Sequence, residues 1–98
     1  MKRTAAIATA MLFAGLASAS AQQRITVIGC PAAGVEPKCL VIRGGDNVTY
    51  NITDARQRPE VGQRAIRLTG TVVRKASYCQ QGIVLANISW TYTDQTCR

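Results

Sequence analysis

The sequence predicts an all-β domain, a small five-stranded Greek-key barrel stapled by disulfides and preceded by an N-terminal signal peptide. Three observations predict it. Five short segments rich in β-branched residues are separated by Gly, Pro, Asn and Asp, with no long amphipathic helix between them. Four cysteines and no histidine occur in 98 residues, an even count that in a short exported chain reads as cystines. The chain also opens with the layout of an export signal.

Residues 1–21 carry that layout. Lys2 and Arg3 precede the apolar run Ala5–Leu16, and Ala19-Ser20-Ala21 supplies the small residues a signal peptidase reads. A membrane span needs roughly 20 apolar residues, so the run is too short for an anchor. Val27-Ile28-Gly29-Cys30 loosely resembles a lipoprotein cleavage site. It lies past the apolar run, however, and using it would leave an odd number of cysteines to pair. The expected mature domain is residues 22–98, a single unit with no transmembrane segment. Cleavage removes two bases and no acid, lowering the net charge from +7 to +5. A domain this small buries little apolar surface, so covalent staples are expected to supplement its core.

The first strand is expected at Arg24–Gly29, followed by a rigid loop framed by Pro31 and Pro37, because proline fixes φ and lacks a ladder donor. Cys39–Arg43 and Asn47–Thr53 read as a hairpin around the turn Gly44-Gly45-Asp46-Asn47. In the third strand Val48, Tyr50 and Ile52 share the inward face, leaving Thr49 and Asn51 outward. Thr53-Asp54 opens a short helical turn that Pro59 and Gly62 would stop. The fourth strand, Arg64–Arg74, puts Ile66, Leu68, Gly70 and Val72 inward, with Arg67, Thr69 and Thr71 outward. Gly70 marks a bend or bulge. The fifth, Ile83–Thr93, puts Val84, Ala86, Ile88 and Trp90 on one face, and Leu85 fits that alternation poorly.

Five short strands, a longer connection between the third and fourth, and a glycine-bent fourth strand point to an OB-like barrel, with an SH3-like barrel or open sheet as rival. Four cysteines allow three connectivities, and their spacing does not choose among them. In an OB barrel the loops CPAAGVEPK and KASYCQQG flank one face. On that plan Cys39 bridges Cys79 across the two loops and leaves Cys30 to Cys97. A linked Cys30–Cys39 peptide would exclude it.

Val61-Gly62-Gln63-Arg64, Leu68-Thr69-Gly70-Thr71-Val72 and Ser77-Tyr78-Cys79-Gln80-Gln81-Gly82, with Gly34-Val35-Glu36 ahead of Cys39, resemble a family of small exported bacterial proteins of unknown function with a predicted OB-like barrel. The resemblance spans about Ile25 to Ile88. It implies that Cys39 and Cys79 belong to a shared frame, with Cys30 and Cys97 an added pair, and it implies no catalytic residue.

The chemistry available is that of a binding protein rather than an enzyme. Without histidine the usual base for a catalytic thiol is missing. The closest cysteines are nine positions apart, unlike the close pairs of a zinc site. The acids Glu36, Asp46, Asp54, Glu60 and Asp94 are scattered, mostly at turns. Hence no catalytic residue, metal ligand or cofactor is assigned. Arg64, Arg67, Arg74 and Lys75 lie along or just past the fourth strand, with Arg56 and Arg58 before it. Tyr78 is the one loop aromatic, whereas Tyr50 and Trp90 read as core. The candidate ligand-binding residues are therefore Tyr78, Lys75, Arg74 and Arg67. In the periplasm, or outside a bacterial cell, their partner would be an anionic glycan, a lipid head group or an acidic protein surface. Nucleic acid is scarce there and is not expected. Two other functions compete: a structural or inhibitory partner of another envelope protein, and a small hydrolase built on the scattered acids. Three Asn-x-Ser/Thr triplets, at Asn47, Asn51 and Asn87, read as polar strand-face residues in a bacterial chain rather than as glycan acceptors.

Overall fold

The computed structural model describes residues 23–97; the signal peptide expected at residues 1–21 lies outside the described residues. Five strands form: β1 (Arg24–Ala33), β2 (Leu40–Arg43), β3 (Thr49–Asn51), β4 (Arg64–Val72) and β5 (Ile83–Thr96). The chain is all-β, with no helix among the described residues. The strands pair in the order β1-β2-β3-β5-β4, and β4 returns to β1, so the sheet closes on itself. Every pairing is antiparallel except β3 with β5. Closure removes the free edges that a five-stranded sheet would otherwise present.

β1 makes closure possible by changing partner midway. Arg24–Gly29 pair with β4, and Cys30–Ala33 pair with β2. The change falls at Gly29, where a Cβ would collide with the carbonyl oxygen of Arg43. Only glycine lets the two backbones approach so closely. The first strand is thus longer than expected, and Pro31 lies inside it, buried and opposite Ile42, rather than in the loop. Proline is tolerated there because it follows directly on the break between the two ladders.

The β2–β3 hairpin turns on Gly44–Asn47. Asn47 N–H donates to the Gly44 carbonyl at 2.9 Å, Asn47 takes φ 68°, and the Asp46 side chain accepts from Val48 N–H at 3.1 Å. After β3 the chain makes a turn at Thr53-Asp54, closed by Ala55 N–H to the Ile52 carbonyl at 3.1 Å, in place of the expected helical turn. β3 is only three residues long. Tyr50 and Ile52 point inward as expected, but Asn51 is buried on the opposite face, because another segment covers it.

Sequence alternation misled most in β5. Between Thr69↔Ser89 and Thr71↔Ala86, β4 advances two residues while β5 advances three. The extra residue opposite Gly70 places the bulge on β5, where Asn87 takes φ 52°. A bulge resets the period-two phase. Leu85 is therefore fully buried before it, and Ile88 and Trp90 pack on the core after it, while Val84 and Ala86 fall on the other face. The poor fit of Leu85 was the mark of that reset.

The core is a cluster of Val27, Leu40, Ile42, Tyr50, Ile52, Ile66, Leu68 and Leu85, gathered from all five strands and the residue just past β3. Full burial of such side chains stabilises by about 1.5–3 kcal/mol each before chain entropy is set against it. Two disulfides supplement it. Cys30–Cys97 ties the middle of β1 to the end of the described chain, and Cys39–Cys79 ties the β1–β2 loop to the β4–β5 loop.

Candidate functional site

The β1–β2 loop (34–39) and the β4–β5 loop (73–82) meet on one face and are fastened at three points. Besides the Cys39–Cys79 bridge, the Tyr78 hydroxyl donates to the Pro37 carbonyl at 2.6 Å, and Val35 N–H donates to Gln81 Oε1 at 2.9 Å. Cys39 and Cys79 are buried, so the bridge forms the floor of the junction rather than its surface.

The β4–β5 loop also lies against β3. Asn51 Nδ2 donates to the Cys79 carbonyl at 2.6 Å, and Asn51 Oδ1 accepts from Thr53 N–H at 3.1 Å. Gly82 takes φ 78°, and a Cβ there would stand 2.6 Å from the Thr49 carbonyl oxygen, so glycine is required both for conformation and for contact. The outer side of β3 is therefore occupied by the protein's own loop. This explains the burial of Asn51, which sequence analysis placed outward. Period-two patterning shows which residues share a face, but not that a distant loop will cover the polar one.

At the junction is an open cleft of ≈ 330 Å³ lined by residues 75–77 and 79–82, with Val84 at its end; Arg74 and Tyr78 do not line it. Lys75 is exposed and reaches Asp54 at 3.3 Å, a surface ion pair worth little by itself. Arg74 is exposed beside it, and Tyr78 is 61 % exposed with its hydroxyl engaged and its ring open to solvent. These three candidate residues thus share one loop. Arg67 stands apart. It lies on the exposed face of β4, between Ile28 and Thr91, five residues before the strand ends and so about 16 Å along it.

The other charged residues mostly serve structure. Arg58 donates to the carbonyls of Thr53 and Lys38, both at 2.8 Å, and ties the β3–β4 connection to the β1–β2 loop. Arg64 lies over the Tyr92 ring at 5.1 Å. Asp46 accepts from the Tyr50 hydroxyl at 3.2 Å. Burial first, then the Asp46 charge and that hydrogen bond, hold the Tyr50 phenol above its ordinary value. Among the described residues, Glu36, Cys39 and Cys79 form a group whose ligand atoms lie within 4.8 Å of one another. Both sulfurs are already spent in the cystine, so the group as it stands offers a metal only one carboxylate.

No helix among the described residues is long and apolar enough to cross a membrane, and the two cystines fit an oxidising compartment outside the cytoplasm. No family model, curated protein or solved structure matches the chain.

Proposed function

We propose that this protein is an exported, OB-like Greek-key barrel of the bacterial periplasm or surroundings, and that it acts as a non-enzymatic binding module for an anionic envelope ligand. The strand order, closed through a single parallel β3–β5 pairing, supports the OB-like reading. Membership of the family of small exported barrels noted above belongs to the same proposal.

The observation that carries the binding role is the fastened pair of loops. It presents Arg74, Lys75 and the open ring of Tyr78 on one loop that the cystine holds in place, and of these three Lys75 lines the cleft. A loop already ordered in the free protein loses little entropy on binding. Exposed cations attract an anionic partner through water, and that attraction weakens with salt. The test immobilises the protein and passes envelope extract over it at low and high salt. Retained anionic material should elute as salt rises and be lost from Lys75→Ala and Tyr78→Ala. Equal retention by both variants would refute the placement.

A further inference from the structure

A second recess lies between β5 and the connection that leads from β3 to β4. Two adjoining cavities of ≈ 330 and ≈ 420 Å³ share Arg56 and Ile88 as walls, and Asp54, Gln57, Asn87, Ser89 and Trp90 line the rest. The Lys75–Asp54 ion pair stands between this groove and the loop cleft.

The apolar wall is fixed in advance. Trp90 Nε1–H donates to the Gln57 carbonyl at 2.8 Å, Tyr92 packs edge-on to Trp90 at 4.8 Å, and the Tyr92 hydroxyl accepts from Glu60 N–H at 3.2 Å. These contacts pin the connection to β5, so the groove does not have to assemble around a ligand.

Asp54 is held by Lys75, whereas Arg56, Asn87 and Ser89 enter no side-chain hydrogen bond or ion pair among the described residues. Arg58 spends its guanidinium on two carbonyls. Arg56, two residues earlier, is exposed and enters no ion pair or side-chain hydrogen bond among the described residues. The bulge holds Asn87 at φ 52° and leaves its side chain exposed at the groove. Bulges re-aim side chains in this way and recur beside binding sites.

We propose that this groove binds an acidic saccharide. The Trp90 and Ile88 side chains meet the apolar face of a pyranose ring, Arg56 pairs with the ring's carboxylate, and Asn87 and Ser89 bond its hydroxyls. A densely charged phosphate group fits less well, because among the described residues Arg56 is the one unpaired cation lining the groove, and Lys75 is held by Asp54. Neutral amide and hydroxyl groups beside an indole suit a hydroxyl-rich ring that carries one charge. The proposal stands independently of the loop cleft.

Trp90 is the only tryptophan in the chain, so intrinsic fluorescence reports on the groove itself. The intact, disulfide-bonded protein is titrated with a galacturonate trimer and with the neutral galactose trimer. The acidic trimer should shift Trp90 emission saturably, and the neutral one should bind several-fold more weakly. Arg56→Gln should weaken the acidic trimer by about tenfold or more. Asn87→Gly should weaken it several-fold with the melting temperature retained, since glycine accepts the same φ. Arg43→Gln, on the exposed end of β2, should bind as the unaltered protein does. Absence of a saturable change at millimolar trimer would overturn the proposal. So would equal response to both trimers, or undiminished affinity in Arg56→Gln.

Discussion

Removing the Cys39–Cys79 bridge should cost this protein a large share of its stability. The perturbation is the double replacement Cys39→Ala/Cys79→Ala, which leaves no unpaired thiol at the buried site. The bridge closes a loop of sequence separation 40, and the loop-closure entropy it removes from the unfolded chain is worth roughly 4 kcal/mol. A domain of this length has a total stability of roughly 4–12 kcal/mol, so one bridge represents a third or more of it. The three polar ties around it, Tyr78 to Pro37, Val35 to Gln81 and Asn51 to Cys79, survive the replacement. The fold should therefore persist at low temperature rather than vanish. Urea unfolding followed by far-ultraviolet dichroism should show the midpoint falling by roughly 3–4 M at a slope near 1 kcal/mol/M, and the melting temperature should fall by about 20 °C. A loss below about 1 kcal/mol would refute the view that unfolded-chain entropy makes this bridge matter.

Three further outcomes follow from particular contacts. Asn51→Ala leaves the Cys79 carbonyl without its buried donor and should cost about 1–3 kcal/mol, with faster hydrogen exchange at Thr53, whose amide the same side chain accepts. Tyr50 binds its proton more tightly in the fold than in the unfolded chain. Its contribution is therefore fully present below about pH 10 and is lost as pH rises from there through the raised folded value. The urea midpoint should decline over that alkaline range in the unaltered protein and less steeply in Tyr50→Phe. Cys39 and Cys79 are 4 % and 1 % exposed whereas Cys30 and Cys97 are half-buried. Because a reductant must reach the sulfur, limiting dithiol should open Cys30–Cys97 first, and mass mapping after alkylation would show the reverse order if accessibility does not decide.

Much of the fold was legible because its signals are local. The hairpin at Gly44–Asn47 announces itself by turn chemistry, and β4 by its alternation of Ile66 and Leu68 with Arg67 and Thr69. The cystine pairs found in the structure are those that the flanking-loop argument selected, since that argument used where loops fall in a closed sheet rather than cysteine spacing alone. What escaped was non-local. Pro31 looked like a loop residue because nothing nearby says that β1 changes partner at Gly29. Asn87 gave no sign that it would take a left-handed φ and reverse the faces of β5, apart from the misplaced Leu85. Asn51 read as a solvent-facing strand residue until the 73–82 loop was laid over it. The candidate loop residues Arg74, Lys75 and Tyr78 come together because they are close in sequence. Arg67 was added to them on charge and strand membership alone, and the register of β4 sets it on another part of the surface.

The account depends most on two cystines that lock a small closed sheet. The most direct measurement is peptide mapping of the unreduced protein by mass spectrometry. The account predicts two linked pairs, Cys30 with Cys97 and Cys39 with Cys79, and no free thiol. A Cys30–Cys39 linkage, or four alkylatable thiols in the native protein, would contradict it.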